Sequence, residues 1–319
     1  MAHSQVVVTS KACSKFVKGV RSFRGIHYSI AFLLGIIGLM SCKDEHKGIP
    51  AQISIDSVSL DISSLQGNNI HQIRGVQVFA NDELLGNFEF PCRIPITKLG
   101  NIKLEIFPLV FINGSKNNLG IYTPMAPFLD TFLLKAGNSI PIKPVFTFRK
   151  NAFVRWNEDF EDNNSTLIPI APSPFPGDSI SIVSTPFDLD GKFKSNTKAY
   201  RIVFENIDSS KYIDVGSFEE FKDLPLDGSS VFFEFDVKSD LPVQLAMRRK
   251  NSTANELLPY MLVNKTGGQW KRFYVNLVFE LASQPAGTSI RLFFDINKPE
   301  VCTVSREIFI DNLRLSFLK

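Results

Sequence analysis

The stretch IFIDNLRL at residues 308–315 decides the fold class of this chain. Its large apolar residues follow the two-residue repeat of a strand that turns one face to a core, and they are Ile308, Ile310, Leu313 and Leu315. The repeat changes phase at Asp311 and Asn312, as it does where a β-bulge inserts one extra residue. We therefore predict a bulged last strand, which pairs with a first strand opening near Trp156.

Several other stretches alternate in the same way, and none shows long helical periodicity. Residues 231–237 read VFFEFDV, and residues 273–277 and 290–294 repeat the pattern. The chain has 29 Phe but only 6 Tyr and 2 Trp, and Phe, which has no polar group, favours a core position. These features predict an all-β fold with two β-sandwich domains, at residues 51–150 and 153–319.

Three pieces of the second region occur in a familiar order: WNEDFED at 156–162, GQWKRFYVNL at 268–277 and the closing IFIDNLRL. The order is similar to that of galactose-binding-like jelly-rolls, the architecture of many carbohydrate-binding modules. The resemblance covers most of residues 153–319 and implies that the second domain is a jelly-roll.

The same resemblance implies a structural calcium ion, which such jelly-rolls often hold. The positions that match its ligands are Glu158, Glu161 and Asp311, and carboxylate oxygens suit Ca²⁺. The alternative is that these residues are surface carboxylates near a basic neighbour such as Arg314.

Turn and edge signals separate the predicted strands. Residues 75–80 predict one strand, and residues 84–90 predict the strand that returns beside it. Asn81 and Asp82 predict the turn between them, because both residues tolerate left-handed backbone. Pro91 and Pro95 place the next stretch at a sheet edge, since proline cannot donate a ladder hydrogen bond. Residues 167–177 contain four prolines and predict an extended surface loop.

The first 41 residues have the order of a secretory signal peptide. Their only charged side chains are five cations, and the uncharged run IAFLLGIIGLM follows at residues 30–40. This run is shorter than the roughly 20 residues that span a bilayer. We predict a signal peptide at 1–41 and a tether at 42–50.

The sequence LMSC at residues 39–42 resembles the lipobox of bacterial lipoproteins. The resemblance implies cleavage before Cys42 and a diacylglycerol thioether on its sulfur, with acyl chains such as palmitate that anchor the protein to a membrane. The alternative is an ordinary signal peptide with a chance cysteine. KDE at 43–45 resembles the signal of surface-exported lipoproteins of the Bacteroidota, which implies the outer face of the outer membrane, whereas the alternative is a plain charged tether.

The net positive charge belongs to the leader. Removing residues 1–41 changes the formal charge from +3 to −2, because five cations and no acid are lost. A nucleic-acid partner would need a basic patch, and none is evident, so we predict no nucleic-acid partner. Cys92 and Cys302 remain, far apart in sequence, and we expect buried free thiols, although a disulfide could form if the two halves touch.

The sequence shows no recognisable catalytic machinery. Only His46 and His71 follow Cys42, and the motifs of serine hydrolases, zinc proteases and phosphate-binding loops are missing. Adjacent carboxylates, such as Glu219 with Glu220 or Glu158 with Glu161, could serve a glycosidase, but any β-protein offers such pairs. We predict no catalysis and no required cofactor, with structural Ca²⁺ as the one candidate ion.

Sugar binding needs exposed aromatic rings beside polar groups, and the candidates are Tyr212, Tyr260 and Trp270. Trp270 has an alternative, a core position at the head of its strand. We predict a binding or adhesion module, directed at glycans. An exposed aromatic platform would favour this role, a large apolar patch would favour an accessory subunit of an envelope uptake, secretion or gliding machine, and a cleft with two facing carboxylates would favour a glycoside hydrolase.

Overall fold

The fold was analysed in a computed structural model, which describes residues 48–171, 179–205, 212–252, 255–297 and 304–319. These residues are almost entirely β-structure, with a 3₁₀-helix at Ser64–Gln66 and one short α-helix, α1, at Val278–Ala282. The all-β prediction is confirmed. Within these ranges, no helix is long and apolar enough to cross a membrane. The predicted signal peptide, Cys42 and Cys302 lie outside the described residues.

The first part of the fold contains ten strands between residues 51 and 146. They are β1 (Ala51–Ile55), β2 (Ser59–Leu60), β3 (Gly75–Ala80), β4 (Glu83–Glu89), β5 (Cys92–Ile96), β6 (Gly100–Phe111), β7 (Leu119–Ile121), β8 (Phe128–Leu134), β9 (Ser139–Pro141) and β10 (Val145–Phe146). One sheet has the order β4-β3-β6-β7, with β8 also paired to β6. Two smaller sheets have the orders β5-β1-β9 and β10-β2.

The turn and edge predictions for this part are confirmed. Asn81 and Asp82 adopt left-handed backbone, with φ of 48° and 64°, between β3 and β4. Strand β5, which contains Pro95, lies at the edge of its sheet. Cys92 is a buried free thiol that donates to the backbone oxygen of Ile55, and burial raises the pKa of this thiol.

The second part contains the strands of a β-sandwich. They are β11 (Ala152–Glu158), β12 (Leu167–Ala171), β13 (Ser179–Leu189), β14 (Phe193–Phe204), β15 (Tyr212–Ser217), β16 (Val231–Ser239), β17 (Val243–Lys250), β18 (Asn255–Val263), β19 (Lys271–Asn276), β20 (Ser289–Asn297) and β21 (Arg306–Leu318). The loop predicted at 167–177 is wrong for its first five residues, because β12 pairs with β15 despite Pro169. Since β12 lies at the edge of its sheet, a proline is tolerated there.

The sandwich consists of two sheets. Sheet I has the order β13-β14-β21-β16-β19, with β11 also paired to β21, and sheet II has the order β12-β15-β20-β17-β18. Their inner faces share one hydrophobic cluster, in which Trp156 stacks on Phe233 and Phe235 lies against Phe294. The architecture agrees with the predicted jelly-roll.

The prediction that the first and last strands of the sandwich pair with each other is confirmed. Strand β11 runs antiparallel to β21, from Ala152 opposite Leu318 to Glu158 opposite Leu313. The predicted bulge is also present, because β21 advances three residues where β16 advances two, and Asn312 has a φ of 52°.

The outer face of sheet I is covered by the first part of the chain. Phe232 of β16 and Tyr274 of β19 belong to the hydrophobic cluster of the first part, and both rings pack against Tyr122. The polar side chains that share this face, Glu234 and Asp236, are 1% and 0% exposed. Strand β16 is therefore buried on both faces, although its sequence alternation predicted only one. The division into two domains at about residue 150 stays a prediction.

Candidate functional site

In the part of the chain that the structure describes, no second sheet packs on the outer face of sheet II, although the residues at its centre are buried. None of the hydrophobic clusters among the described residues includes a side chain from it. In β20, Leu292 and Phe294 point into the core, and the residues that alternate with them point outward. The same holds for β15 and β17, so this face carries every second residue of these strands.

The strand register arranges these outward residues in rows across the sheet. One polar row contains Asp214, Asp295, Gln244 and Leu262. The next row contains Gly216, Phe293, Ala246 and Pro259, and we call it the flat row for its small residues Gly216 and Ala246. The third row contains Arg291, Arg248 and Leu257. Tyr212, which lies opposite Asn297 on β20, stands beyond the polar row and is 40% exposed.

A small residue is required at Gly216 in the flat row. A Cβ atom added there would lie 2.4 Å from the Ile170 Cδ1, 2.7 Å from the Phe293 Cβ and 2.9 Å from the Leu292 backbone oxygen. The Phe293 ring is buried, and the Arg248 guanidinium lies 5.8 Å from its centroid. The flat row is thus a packed floor between a carboxylate row and an arginine row.

Asp214 and Asp295 form a carboxylate pair in the polar row. Burial, together with the neighbouring Asp295 carboxylate, raises the pKa of Asp214 to about 6. The Asp214 Oδ1 atom is buried and has no hydrogen-bond partner among the described residues. Such an orphaned oxygen costs about 1–3 kcal/mol. A ligand that brings a hydroxyl donor to this row would relieve that cost.

The three aromatic candidates lie in different environments. Tyr212 is exposed on the open face. Trp270 is 4% exposed, donates its Nε1–H to the Pro186 oxygen at 3.0 Å and packs on Phe187, so it lies in a small core. This matches the core alternative, and Trp270 offers no exposed platform. Tyr260 is partly buried, and its hydroxyl contacts the Asn113 amide at 2.9 Å and the Asn276 oxygen at 2.8 Å.

Two of the three predicted calcium ligands, Glu161 and Asp311, contact the same hydroxyl, whereas Glu158 is engaged in its own loop. Glu158 accepts from the backbone nitrogens of Phe160 and Thr166 and from the Thr166 hydroxyl, at 2.6–2.9 Å, so it fixes its own loop. Glu161 and Asp311 both lie 2.9 Å from the Thr197 hydroxyl oxygen. Burial raises the pKa of Asp311 to about 8. In the described ranges, no three acidic, histidine or cysteine side chains are grouped to hold a metal ion. The calcium site stays a prediction.

The carboxylates considered for a glycosidase either contact other side chains or lie too close to each other. Glu219 forms an ion pair with Arg155 at 2.8 Å, and Glu220 accepts from the Ser289 hydroxyl at 3.1 Å. Asp214 and Asp295 are in hydrogen-bond contact, whereas glycosidases hold their two carboxyl groups about 5 Å or more apart. The pair on the open face therefore suits ligand recognition better than glycoside hydrolysis.

Sequence reasoning selected Tyr212 but missed its polar neighbours. Asp214, Gln244 and Asp295 are ordinary polar residues in alternating strands, and only the register brings them side by side. The available signal was the outward phase of β15, in which Tyr212, Asp214 and Gly216 alternate with core residues.

No protein-family model matches the chain, and no curated protein matches it either. Among solved structures, it is similar to an exo-beta-agarase, at 11% identity and a TM-score of 0.37, over 50% of this chain and 25% of that chain. It is similar to the CBM22-1 xylan-binding domain of Paenibacillus barcinonensis Xyn10C, at 10% identity and a TM-score of 0.36, over 54% and 98% of the two chains.

Carbohydrate-binding modules from the beta-sandwich super family give 11% identity and a TM-score of 0.35, over 84% of this chain and 98% of theirs. The structural neighbours of this all-β chain thus include carbohydrate-binding modules. All three TM-scores are below 0.5, so these likenesses carry no argument about a ligand.

Proposed function

We propose that this protein is a non-catalytic glycan-binding module whose site is the outer face of sheet II. The observation that carries the proposal is the arrangement on this face, where exposed Tyr212 stands beside the polar row of Asp214, Gln244 and Asp295. Sugar rings present an apolar face and a rim of hydroxyls. An aromatic ring with convergent acceptors and donors matches both features.

Each group on the face has a part in this recognition. Tyr212 stacks on one sugar ring, and the unpartnered Asp214 Oδ1 accepts from a sugar hydroxyl. Gln244 offers both a donor and an acceptor, and Arg248 and Arg291 donate from the far side of the flat row. In the flat row Gly216 and Ala246 have little or no side chain, and the Ile170 side chain packs beside Gly216.

Binding to glycans tests this assignment, with the full chain in detergent and a panel of plant, algal and microbial polysaccharides. We expect at least one to bind, and Tyr212→Ala to weaken it about tenfold or more, the equivalent of about 1.4 kcal/mol. Phe279→Ala is the matched control, because Phe279 lies on α1 and is 81% exposed. Equal losses in both variants, or no binding polysaccharide, would contradict the assignment.

We also propose that lipid on Cys42 holds the module at the outer membrane, facing outward. The basic segment, the short apolar run and the LMSC motif support this location. Mass spectrometry of the native protein is the test, and we expect an N-terminal cysteine with a diacylglycerol and a further acyl chain. An unmodified Cys42, or a retained leader, would refute the anchor and leave glycan binding untouched.

An accessory role in an envelope machine is the second candidate. It is favoured by Leu129 and Leu133, which lie on one face of β8 and are 57% and 55% exposed. Affinity capture from detergent-solubilised outer membranes tests it. A stoichiometric membrane partner that is lost in Leu129→Ser/Leu133→Ser would support this role, and capture unchanged by that variant would refute this use of β8.

A further inference from the structure

A cleft of about 400 Å³ lies where the first part of the chain meets the edges of the sandwich. Residues from both parts line it. The sandwich contributes Asp190 and the segments from Met261 to Asn264 and from Gln269 to Tyr274. The first part contributes Gln72, Arg74, Phe111, Asn113, Gly114 and Lys116. The volume lies in the usual range for small-ligand sites, about 300–1,000 Å³.

The charges of this cleft do not balance. Its lining contains four cations, Arg74, Lys116, Lys271 and Arg272, but only one acid, Asp190. Asp190 is paired with Arg74 at 2.6 Å, and Arg272 is paired with Asp236 at 2.8 Å beneath the cleft. Lys116 and Lys271 are exposed and form no ion pair within the described part of the chain. Two cations are therefore left to attract an anion.

The cleft also contains a buried donor without an acceptor. Within the ranges that the structure describes, the Nε atom of Arg74 is buried and has no hydrogen-bond partner, although its Nη2 atom forms an ion pair with Asp190. A buried donor left unpaired destabilises the protein by about 1–3 kcal/mol. A ligand oxygen that accepts from the Arg74 Nε–H would remove this cost.

The remaining lining suits a ring rather than a bare ion. Phe111, Met261 and Phe273 supply apolar surface, and Met261 and Phe273 both approach Gly114 at the rim. The side-chain amides of Asn264 and Gln269 are exposed beside them. By contrast, the Asn113 amide already donates to the Tyr260 hydroxyl and accepts from the Asn276 backbone nitrogen.

We propose that this cleft binds an acidic sugar, a ring that carries a carboxylate or a sulfate group. The oxyanion lies between Lys116 and Lys271, the ring packs on Phe111 and Phe273, and ring oxygens reach the Arg74 donor and the exposed amides. The charged and aromatic groups that hold this ligand are not those of the outer face of sheet II, although Leu262 borders both sites, and the proposal does not depend on glycan binding at that face.

Calorimetric titration of the full chain with three matched sugars tests the proposal: D-glucuronate, D-glucose 6-sulfate and D-glucose. At least one of the two acidic sugars should bind, with an affinity that falls as salt rises, because the attraction is electrostatic. D-glucose should bind about tenfold more weakly or not at all. The stronger of the two acidic ligands identifies the oxyanion.

Variants locate the site. Lys116→Gln/Lys271→Gln should weaken the acidic sugar about tenfold or more, and the control Lys135→Gln/Lys143→Gln, which removes two exposed lysines elsewhere, should leave it unchanged. Tyr212→Ala should also leave it unchanged, so this result separates the cleft from the open face. Equal binding of D-glucose, no binding of either acidic sugar, or equal losses in the two lysine double variants would overturn the proposal.

Discussion

Removal of the Arg272 guanidinium should strongly destabilise the chain, because it would leave a carboxylate buried without its partner. Arg272 donates to both oxygens of Asp236, at 2.8 and 2.9 Å, and the two side chains are 1% and 0% exposed. Arg272 also donates to the Ile70 backbone oxygen in the first part of the chain. The pair therefore stands at the contact between that part and sheet I.

The expected loss for Arg272→Met is about 3–5 kcal/mol, the usual effect of breaking a buried pair on one side. Asp236 would keep one partner, the Asn312 amide at 2.7 Å, which is a weaker substitute. Burial already raises the pKa of Asp236 even beside Arg272. Without Arg272 the carboxyl should take up a proton, so the loss should shrink as the pH falls.

The exposed pair of Arg93 and Asp56 is the matched control. Its nitrogen and oxygen are only 2.6 Å apart, but the side chains are 50% and 68% exposed. Such pairs contribute about 0–1 kcal/mol, since water and salt screen them. Arg93→Met should therefore change the free energy of unfolding little, although its ion pair is the shorter one.

Urea denaturation at pH 7, followed by tryptophan fluorescence and circular dichroism, gives the free energies of unfolding. The double variant Arg272→Met/Asp236→Leu should recover most of the loss, because a buried pair replaced by apolar residues of similar volume is often neutral. A loss below about 1 kcal/mol for Arg272→Met, or equal losses for Arg272→Met and Arg93→Met, would refute the reasoning.

Three other predictions follow from single residues. Burial, with Arg272 and Lys192 nearby, lowers the pKa of His71 to about 4. The free energy of unfolding should therefore be at its full value above pH 6.5 and fall by up to about 3 kcal/mol as the pH drops toward 4. An imidazole titration near pH 6.5 by NMR would contradict this. Gly216→Ala should lower the free energy of unfolding by about 1–3 kcal/mol, because its Cβ would press on Phe293 and the Leu292 backbone, and an unchanged urea midpoint would count against that contact. The calcium prediction requires millimolar Ca²⁺ to raise the Tm and Glu161→Gln to abolish the rise, whereas a Tm that ignores Ca²⁺ and EDTA would exclude the site.

The closing strand shows how far local patterning reaches. The phase change at Asp311 and Asn312 predicted a bulge, and the bulge is there, because the two-residue repeat of a strand leaves no other way to keep Leu313 in the core. The pairing of β11 with β21 could also be predicted from the sequence, since these strands are the first and the last of the same compact region. These features follow from the chemistry of neighbouring residues.

The burial of β16 on both faces could not be predicted from its own alternation. Glu234 and Asp236 look like solvent-facing residues, and they are buried only because Tyr122, Arg314 and Arg272 arrive from distant segments to satisfy them. Phe232, an aromatic residue on the polar face, was the one local sign. The polar row on sheet II escaped prediction for the same reason, because strand order, not local sequence, places Asp295 between Asp214 and Gln244.

Amide hydrogen exchange with and without a bound polysaccharide tests the central claim most directly. If the outer face of sheet II holds the sugar chain, protection should increase in β15, β17 and β20 and stay unchanged in β3 and β6. Protection confined to β3 and β6, or an unchanged sheet II in a saturated complex, would contradict the account.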